Sequence, residues 1–221
     1  MAITGKLAIQ YDGMTSAFFA ILFGYLLGSV LVADLVTRRV GAPNLRDVGD
    51  RNPGFWNSRS VLSRNQTLVI FFGDILKGSL AVLHAKHVSE DWRVWFLAAG
   101  AAVIGHAWPV FGMFSGGRSV LTWIGTAIVL SPWAAVFSIL MFLLFLAATR
   151  AFSHAVRIAV IVYPFAQWYS NGAWQAASTF ALMMIIGIRF VRANGFASTI
   201  RAATPVVRVR RRPPRNRQPS E

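Results

Sequence analysis

Apolar residues along the chain fall into long runs, without the 3.6-residue or two-residue alternation of half-buried elements. The runs cover residues 16–36, 66–83, 94–111, 119–148, 152–168 and 173–190. A helix crossing a bilayer core needs about 20 apolar residues, and all but one of the runs are near that length. The run 119–148 is too long for one crossing and is interrupted by Ser131-Pro132. Proline disfavours helical backbone in the residue before it, so this pair predicts a tight turn between two short helices. The pattern predicts an all-α integral membrane protein with seven transmembrane helices. The first run is too long for a cleaved signal peptide and has no small-residue cleavage site behind it.

Seven crossings put Arg38, Arg39, Arg46, Arg51, Arg59, Arg64, Arg118, Arg150, Arg157 and the nine arginines of 189–221 on one side. Lys6, Lys86 and Arg93 fall on the other, with Lys77 inside a span. Six crossings would part the arginine-rich tail from the other basic loops. The positive-inside rule therefore predicts an N-terminus outside and a C-terminus in the cytoplasm.

Composition agrees with this reading. The hydrophobic set makes up 55% of the 221 residues and charged residues only 14%, against about a quarter charged in soluble domains. Zero cysteines exclude disulfides, thiolate metal sites and cysteine nucleophiles. The net charge of +14 would fit nucleic acid, but most of the chain is apolar and the excess sits largely in the tail. Residues 1–195 read as one membrane domain, with polar loops at 38–65 and 112–119. Residues 196–221 read as a disordered basic cytoplasmic tail, drawn to anionic lipid by about 1 kcal/mol per basic residue. No nucleic-acid partner is expected.

Polar residues inside apolar spans are functional candidates. Gly28-Ser29 lies in the first run; Asp74 and Lys77 share one helical face of the second; His106 lies in the third, followed by Pro109. Asp74 and Lys77 are either a self-neutralising packing pair or part of a polar site. His106 alone is more simply a packed histidine. Residues 44–57 form a loop rich in glycine, asparagine and arginine, and Gly116-Gly117-Arg118-Ser119 precede a helix start. Backbone N–H groups, a positive helix end and a guanidinium make an anion site suited to phosphate. Two such loops on one membrane face, with Lys77 near, imply a pocket for phosphorylated substrates.

The order of these motifs resembles the bacterial acyl-phosphate-dependent glycerol-3-phosphate acyltransferases, small seven-span enzymes of phospholipid synthesis. The resemblance is carried by Gly28-Ser29; by Arg46, Val48, Gly49, Asn52, Gly54 and Asn57; and by Asp74-Ile-Leu-Lys77-Gly78. It continues in Gly105-His106-Ala-Trp-Pro109, in Gly116-Gly117-Arg118, in Thr149-Arg150-Ala-Phe-Ser153, and in Arg192 with Asn194. It spans about residues 24–194. The chain departs from the family pattern at several points. Leu31 stands for a proline, Asp50-Arg51 for Ser-Gly, Phe55-Trp56 for Ala-Thr, Arg118-Ser119 for Lys-Gly, and Val191 for a histidine.

The resemblance implies transfer of a fatty acyl group from acyl phosphate to the 1-hydroxyl of glycerol 3-phosphate, giving lysophosphatidic acid. It implies a monomer in the bacterial inner membrane, with membrane lipid, acyl phosphate and glycerol 3-phosphate as its partners. Carried over by position, Arg46, Asn52, His106 and Ser153 are the catalytic candidates. Ser29, Arg51, Gly54, Asn57, Lys77, Gly116, Gly117, Arg118 and Asn194 are the candidates for binding substrate phosphate. Because the mixed anhydride is already activated, alignment and oxyanion stabilisation suffice without an acyl-enzyme. No metal, coenzyme A, nucleotide or other cofactor is expected. A catalytically silent relative binding another phosphorylated ligand, or a small transporter, would also fit; a transporter predicts internal repeats, and none is visible.

Overall fold

A computed structural model describes the backbone of residues 2–203 and the side chains of 13–151 and 154–192. Among the described residues the regular elements are all helices. They are α1 (Ala2–Ser29), α2 (Val32–Arg39), α3 (Phe55–Ser58), α4 (Arg64–Val88), α5 (Trp92–Ala107), α6 (Val120–Leu130), α7 (Pro132–Thr149), α8 (Phe152–Asn171) and α9 (Ala173–Ala203), with a 3-10 turn at Val110–Gly112. Among the described residues, five segments are long and apolar enough to cross a membrane: Gly13–Arg39, α4, Trp92–Gly112 (α5 with the 3-10 turn), α7 and the Ala173–Arg192 part of α9. α6 is apolar but only 11 residues long; α8 has 20 residues but carries Arg157 and Gln167. α9 continues helically to Ala203, past the boundary expected at 195. The rest of the expected tail lies outside the described residues, as do the side chains of Ser153 and Asn194.

The helix breaks have local causes. Ser63 Oγ accepts from the Gln66 N–H while Gln66 Oε1 accepts from the Ser63 N–H, a reciprocal cap that starts α4. Pro132 occupies the first helical position of α7, where its missing N–H costs nothing, and Ser131 separates it from α6 at the predicted turn. The first apolar run differs from the expectation of one continuous helix: α1 ends at Ser29 and α2 begins at Val32. In an unbroken helix the Asp34 N–H would reach the Val30 carbonyl; here it donates to Leu31 O at 3.1 Å. The carbonyl of Val30 is left for another partner.

α1 packs on α5, and α4 on α6, backbone against backbone. A Cβ on Gly28 would lie 2.2 Å from Ala102 O, and one on Gly78 would lie 2.0 Å from Thr122 O. Lipid tails are as apolar as leucine, so close approach of bare backbones is what favours helix association in a membrane. Val82, Phe96, Val103, Trp123, Leu130 and Tyr163 form a core joining α4, α5, α6 and α8. The 38–65 loop is anchored by Leu45, fully buried against Ala33 and Ile70. These contacts gather the ends of α1 and α5, the start of α6 and the later half of α9 into one place.

Candidate active site

Beneath the break between α1 and α2, the Lys77 ammonium donates to Val30 O at 2.8 Å and to His106 Nδ1 at 2.8 Å, and forms an ion pair with Asp74 Oδ1 at 3.0 Å. All three side chains are almost wholly buried. Burying an ammonium is tolerable only with such complete pairing. The Asp74–Lys77 pair is thus both self-neutralising and tied to the histidine. Because Nδ1 accepts from Lys77, the imidazole proton sits on Nε2. Thr122 Oγ1 lies 3.2 Å from the same Nδ1.

The Nε2 edge faces Gly117. A Cβ there would lie 2.3 Å from His106 Nε2 and 3.4 Å from Asn52 Oδ1. His106, Gly117 and Asn52 are therefore neighbours, as a shared site requires. The Gly117 N–H donates to His106 O at 3.0 Å, so it is engaged in the fold. Neither Gly116 nor Gly117 adopts positive φ; Met113, Phe114 and Ser119 do. These glycines matter for closeness, with a Cβ on Gly116 falling 2.0 Å from His106 O.

Two cross-links join the loops. Arg46 grips Asp34 with both terminal nitrogens at 2.9 Å and donates from Nε to Ser115 O at 3.0 Å. Arg118 NH1 lies 2.8 Å from Asp50 Oδ2. Asp50 pairs with Arg118 of the other loop and not with its chain neighbours Arg51 or Arg46. Arg51 is exposed with φ 59, a left-handed conformation at the position where the resembled pattern has glycine. Asn57 is buried and holds its own loop: its amide donates to Leu45 O at 2.8 Å and Val48 O at 3.0 Å, and accepts from the Asp50 N–H at 3.3 Å. Gly49, with φ +56, lies against it, and any Cβ would come 2.0 Å from Asn57 Oδ1. Gly54 is the extended residue before α3 and lies against Asn52. Ser29 donates to Tyr25 O at 2.8 Å within its own helix.

Sequence reasoning missed four residues of this arrangement: Asp34, Ser115, Thr122 and Arg189. Arg189 donates to Gly117 O at 3.2 Å and to Gly116 O, and stacks over Trp108 at 5.3 Å. A lone arginine inside the apolar run 173–190 was the available clue. Asp34 and Ser115 had none, since only folding brings them to Arg46.

Fold and site together define a helical membrane protein with a cation-rich polar site at one end of its bundle. The family model for glycerol-3-phosphate acyltransferase matches residues 18–196. The chain belongs to the glycerol-3-phosphate acyltransferase family. It is 35% identical over 182 residues to glycerol-3-phosphate acyltransferase 1 of Dehalococcoides mccartyi, covering 79% of this chain and 88% of the relative. It is 37% identical over 195 residues to the glycerol-3-phosphate acyltransferase of Brucella anthropi, covering 88% and 92%. Among solved structures it is similar to PlsY (YgiH), an integral membrane glycerol 3-phosphate acyltransferase. The glycerol 3-phosphate form of PlsY matches with TM-score 0.71 and 30% identity over 84% of this chain and 94% of that one. The lysophosphatidic acid form matches with TM-score 0.69 and 28% identity, over 84% and 93%.

Proposed function

We propose that the protein transfers a fatty acyl group from acyl phosphate to the 1-hydroxyl of glycerol 3-phosphate, releasing lysophosphatidic acid and inorganic phosphate. One geometric feature carries this function. His106 Nε2, Asn52 and Gly117 meet directly beside Arg118, where the first turn of α6 presents N–H groups without helical partners. Arg118 and that helix end receive a substrate phosphate. The hydroxyl oxygen attacks the carbonyl carbon, the bond from that carbon to the phosphate oxygen breaks, and phosphate leaves with the electron pair and takes up the hydroxyl proton as hydrogen phosphate. His106 acts as a donor from Nε2 to the developing oxyanion, because its Nδ1 lone pair is held by Lys77. Asn52 is the second polar group in reach. Arg46, Arg189 and Asn57 hold the loops in register, Arg51 adds positive potential, and Lys77 fixes the histidine.

The active loops face the cytoplasm in a seven-span arrangement of residues 1–195, with the N-terminus outside and the basic tail inside. That sidedness is supported by the distribution of arginine. The resemblance to the family adds that the protein is a multi-pass, monomeric component of a bacterial inner membrane, with the acyl chain lying among helices or in lipid.

The test is turnover of purified protein in detergent with glycerol 3-phosphate and either acyl phosphate or acyl-coenzyme A. Lysophosphatidic acid and phosphate formed from acyl phosphate alone support the function. Transfer only from the thioester, or none from either donor, overturns it.

A further inference from the structure

We propose that Asp50 is an internal anion that competes with phosphate for Arg118, weakening phosphate binding and easing its release. The proposal rests on Arg118 being a phosphate ligand. Asp50 Oδ2 sits 2.8 Å from Arg118 NH1, and its other oxygen accepts the Asn52 N–H at 3.2 Å. The Asp50 N–H is held by Asn57, itself fixed to Leu45 and Val48. The carboxylate is thus presented by a braced loop. It is also 38% exposed against 16% for Arg118, so it can be exchanged from the solvent side.

Arg118 is held independently of Asp50. Its guanidinium lies over the Phe190 ring at 4.8 Å, and its Nε is buried without a hydrogen-bond partner. A buried, unmet donor on a half-neutralised guanidinium is a place where a further acceptor gains a bond. One carboxylate contact leaves it unfilled; a phosphate brings more oxygens and more charge. Since ring stacking and burial already orient Arg118, the main effect of Asp50 on an incoming anion is electrostatic and unfavourable. The resembled family pattern has an uncharged serine at this position.

Removing the carboxylate while keeping the turn tests this, because serine and asparagine side chains both accept the backbone N–H two residues on. The protein in detergent is assayed for its KM for glycerol 3-phosphate and for competitive inhibition by inorganic phosphate. The forms compared are wild type, Asp50→Ser, Asp50→Asn, Arg118→Ala and Asp50→Ser with Arg118→Ala. Asp50→Ser and Asp50→Asn should each lower KM and tighten phosphate inhibition about fivefold, the scale of a partly exposed ion pair, with the melting midpoint kept. The gain should vanish in the Arg118→Ala background. Unchanged or weaker phosphate binding in both Asp50 variants, alongside a raised KM in Arg118→Ala, overturns the proposal and leaves the phosphate site standing. A gain that survives without Arg118 also overturns it. If Arg118→Ala itself leaves KM and inhibition unchanged, the phosphate site has been assigned to the wrong residue.

Discussion

The Lys77 ammonium donates to His106 Nδ1 at 2.8 Å, from one membrane helix to the next. This bond decides which edge of the imidazole is free. Lys77 is fixed in turn by Asp74 and by the Val30 carbonyl released at the α1–α2 break. The histidine's orientation is therefore set jointly by α4 and the α1–α2 break.

Removing the lysine should damage both folding and turnover. Lys77→Met leaves Asp74 buried and unpaired, at a cost of about 3–5 kcal/mol, read as a lowered melting midpoint in detergent. Asp74→Leu with Lys77→Met removes both charges and should recover most of the stability. Turnover should stay low, because His106 has lost its fixed tautomer. Wild-type turnover in the double variant would take Lys77 out of the mechanism.

Donor and base roles for His106 separate by amide replacement. Gln places its amide nitrogen near the imidazole Nε2 position, whereas Asn mimics Nδ1. His106→Gln should retain more turnover than His106→Asn, and His106→Ala should lose about 100- to 1,000-fold in kcat. Equal loss in the Gln and Asn variants would favour a proton-accepting histidine.

The two loop glycines should fail differently. A Cβ on Gly117 meets the side-chain Nε2 of His106 at 2.3 Å, whereas one on Gly116 meets the His106 backbone oxygen at 2.0 Å. Gly117→Ala should reduce kcat with a small change in melting midpoint, since the side chain it displaces belongs to the site. Gly116→Ala should lower the midpoint, since backbone must move. Paired activity and thermal measurements distinguish them.

Arg51 holds a left-handed backbone at φ 59, which costs a side-chain-bearing residue roughly 1–2 kcal/mol. Arg51→Gly should stabilise the protein by about 0.5 kcal/mol after the unfolded-state entropy of glycine is counted. Arg51→Ala should cost less turnover than Arg118→Ala, because Asp50 pairs with Arg118. A larger loss from Arg51→Ala would place Arg51 on the phosphate.

Sidedness can be read by labelling, since the chain has no cysteine. Glu90→Cys and Tyr169→Cys, both at exposed positions, should react with a membrane-impermeant reagent from outside intact cells. Arg59→Cys should react only after permeabilisation. Tyr169→Cys protected in intact cells would break the seven-span order.

The helical membrane class, the Ser131-Pro132 turn and the presence of Asp74, Lys77 and His106 in apolar surroundings were all legible along the chain. Each depends on neighbouring residues and on the cost of polarity in lipid. The break after Ser29 was not legible, because Leu31 carries no mark of a turn and only the Lys77 ammonium shows why the Val30 carbonyl is needed. The pairing of Asp50 was not legible for a similar reason: Arg51 and Arg46 are near it in sequence, but in the loop braced by Asn57 it meets Arg118.

The sequence by itself determined that the chain is a helical membrane protein and which polar residues need explaining, because hydrophobic burial and backbone pairing act over short stretches of chain. Only the tertiary structure decided the partners. Arg46 with Asp34 and Ser115, Arg118 with Asp50, Arg189 with the glycine carbonyls, and Lys77 with His106 are contacts between separate helices and loops. A hydrogen bond or ion pair is satisfied by whichever group stands within about 3 Å, and distance along the chain says nothing of that once helices pack.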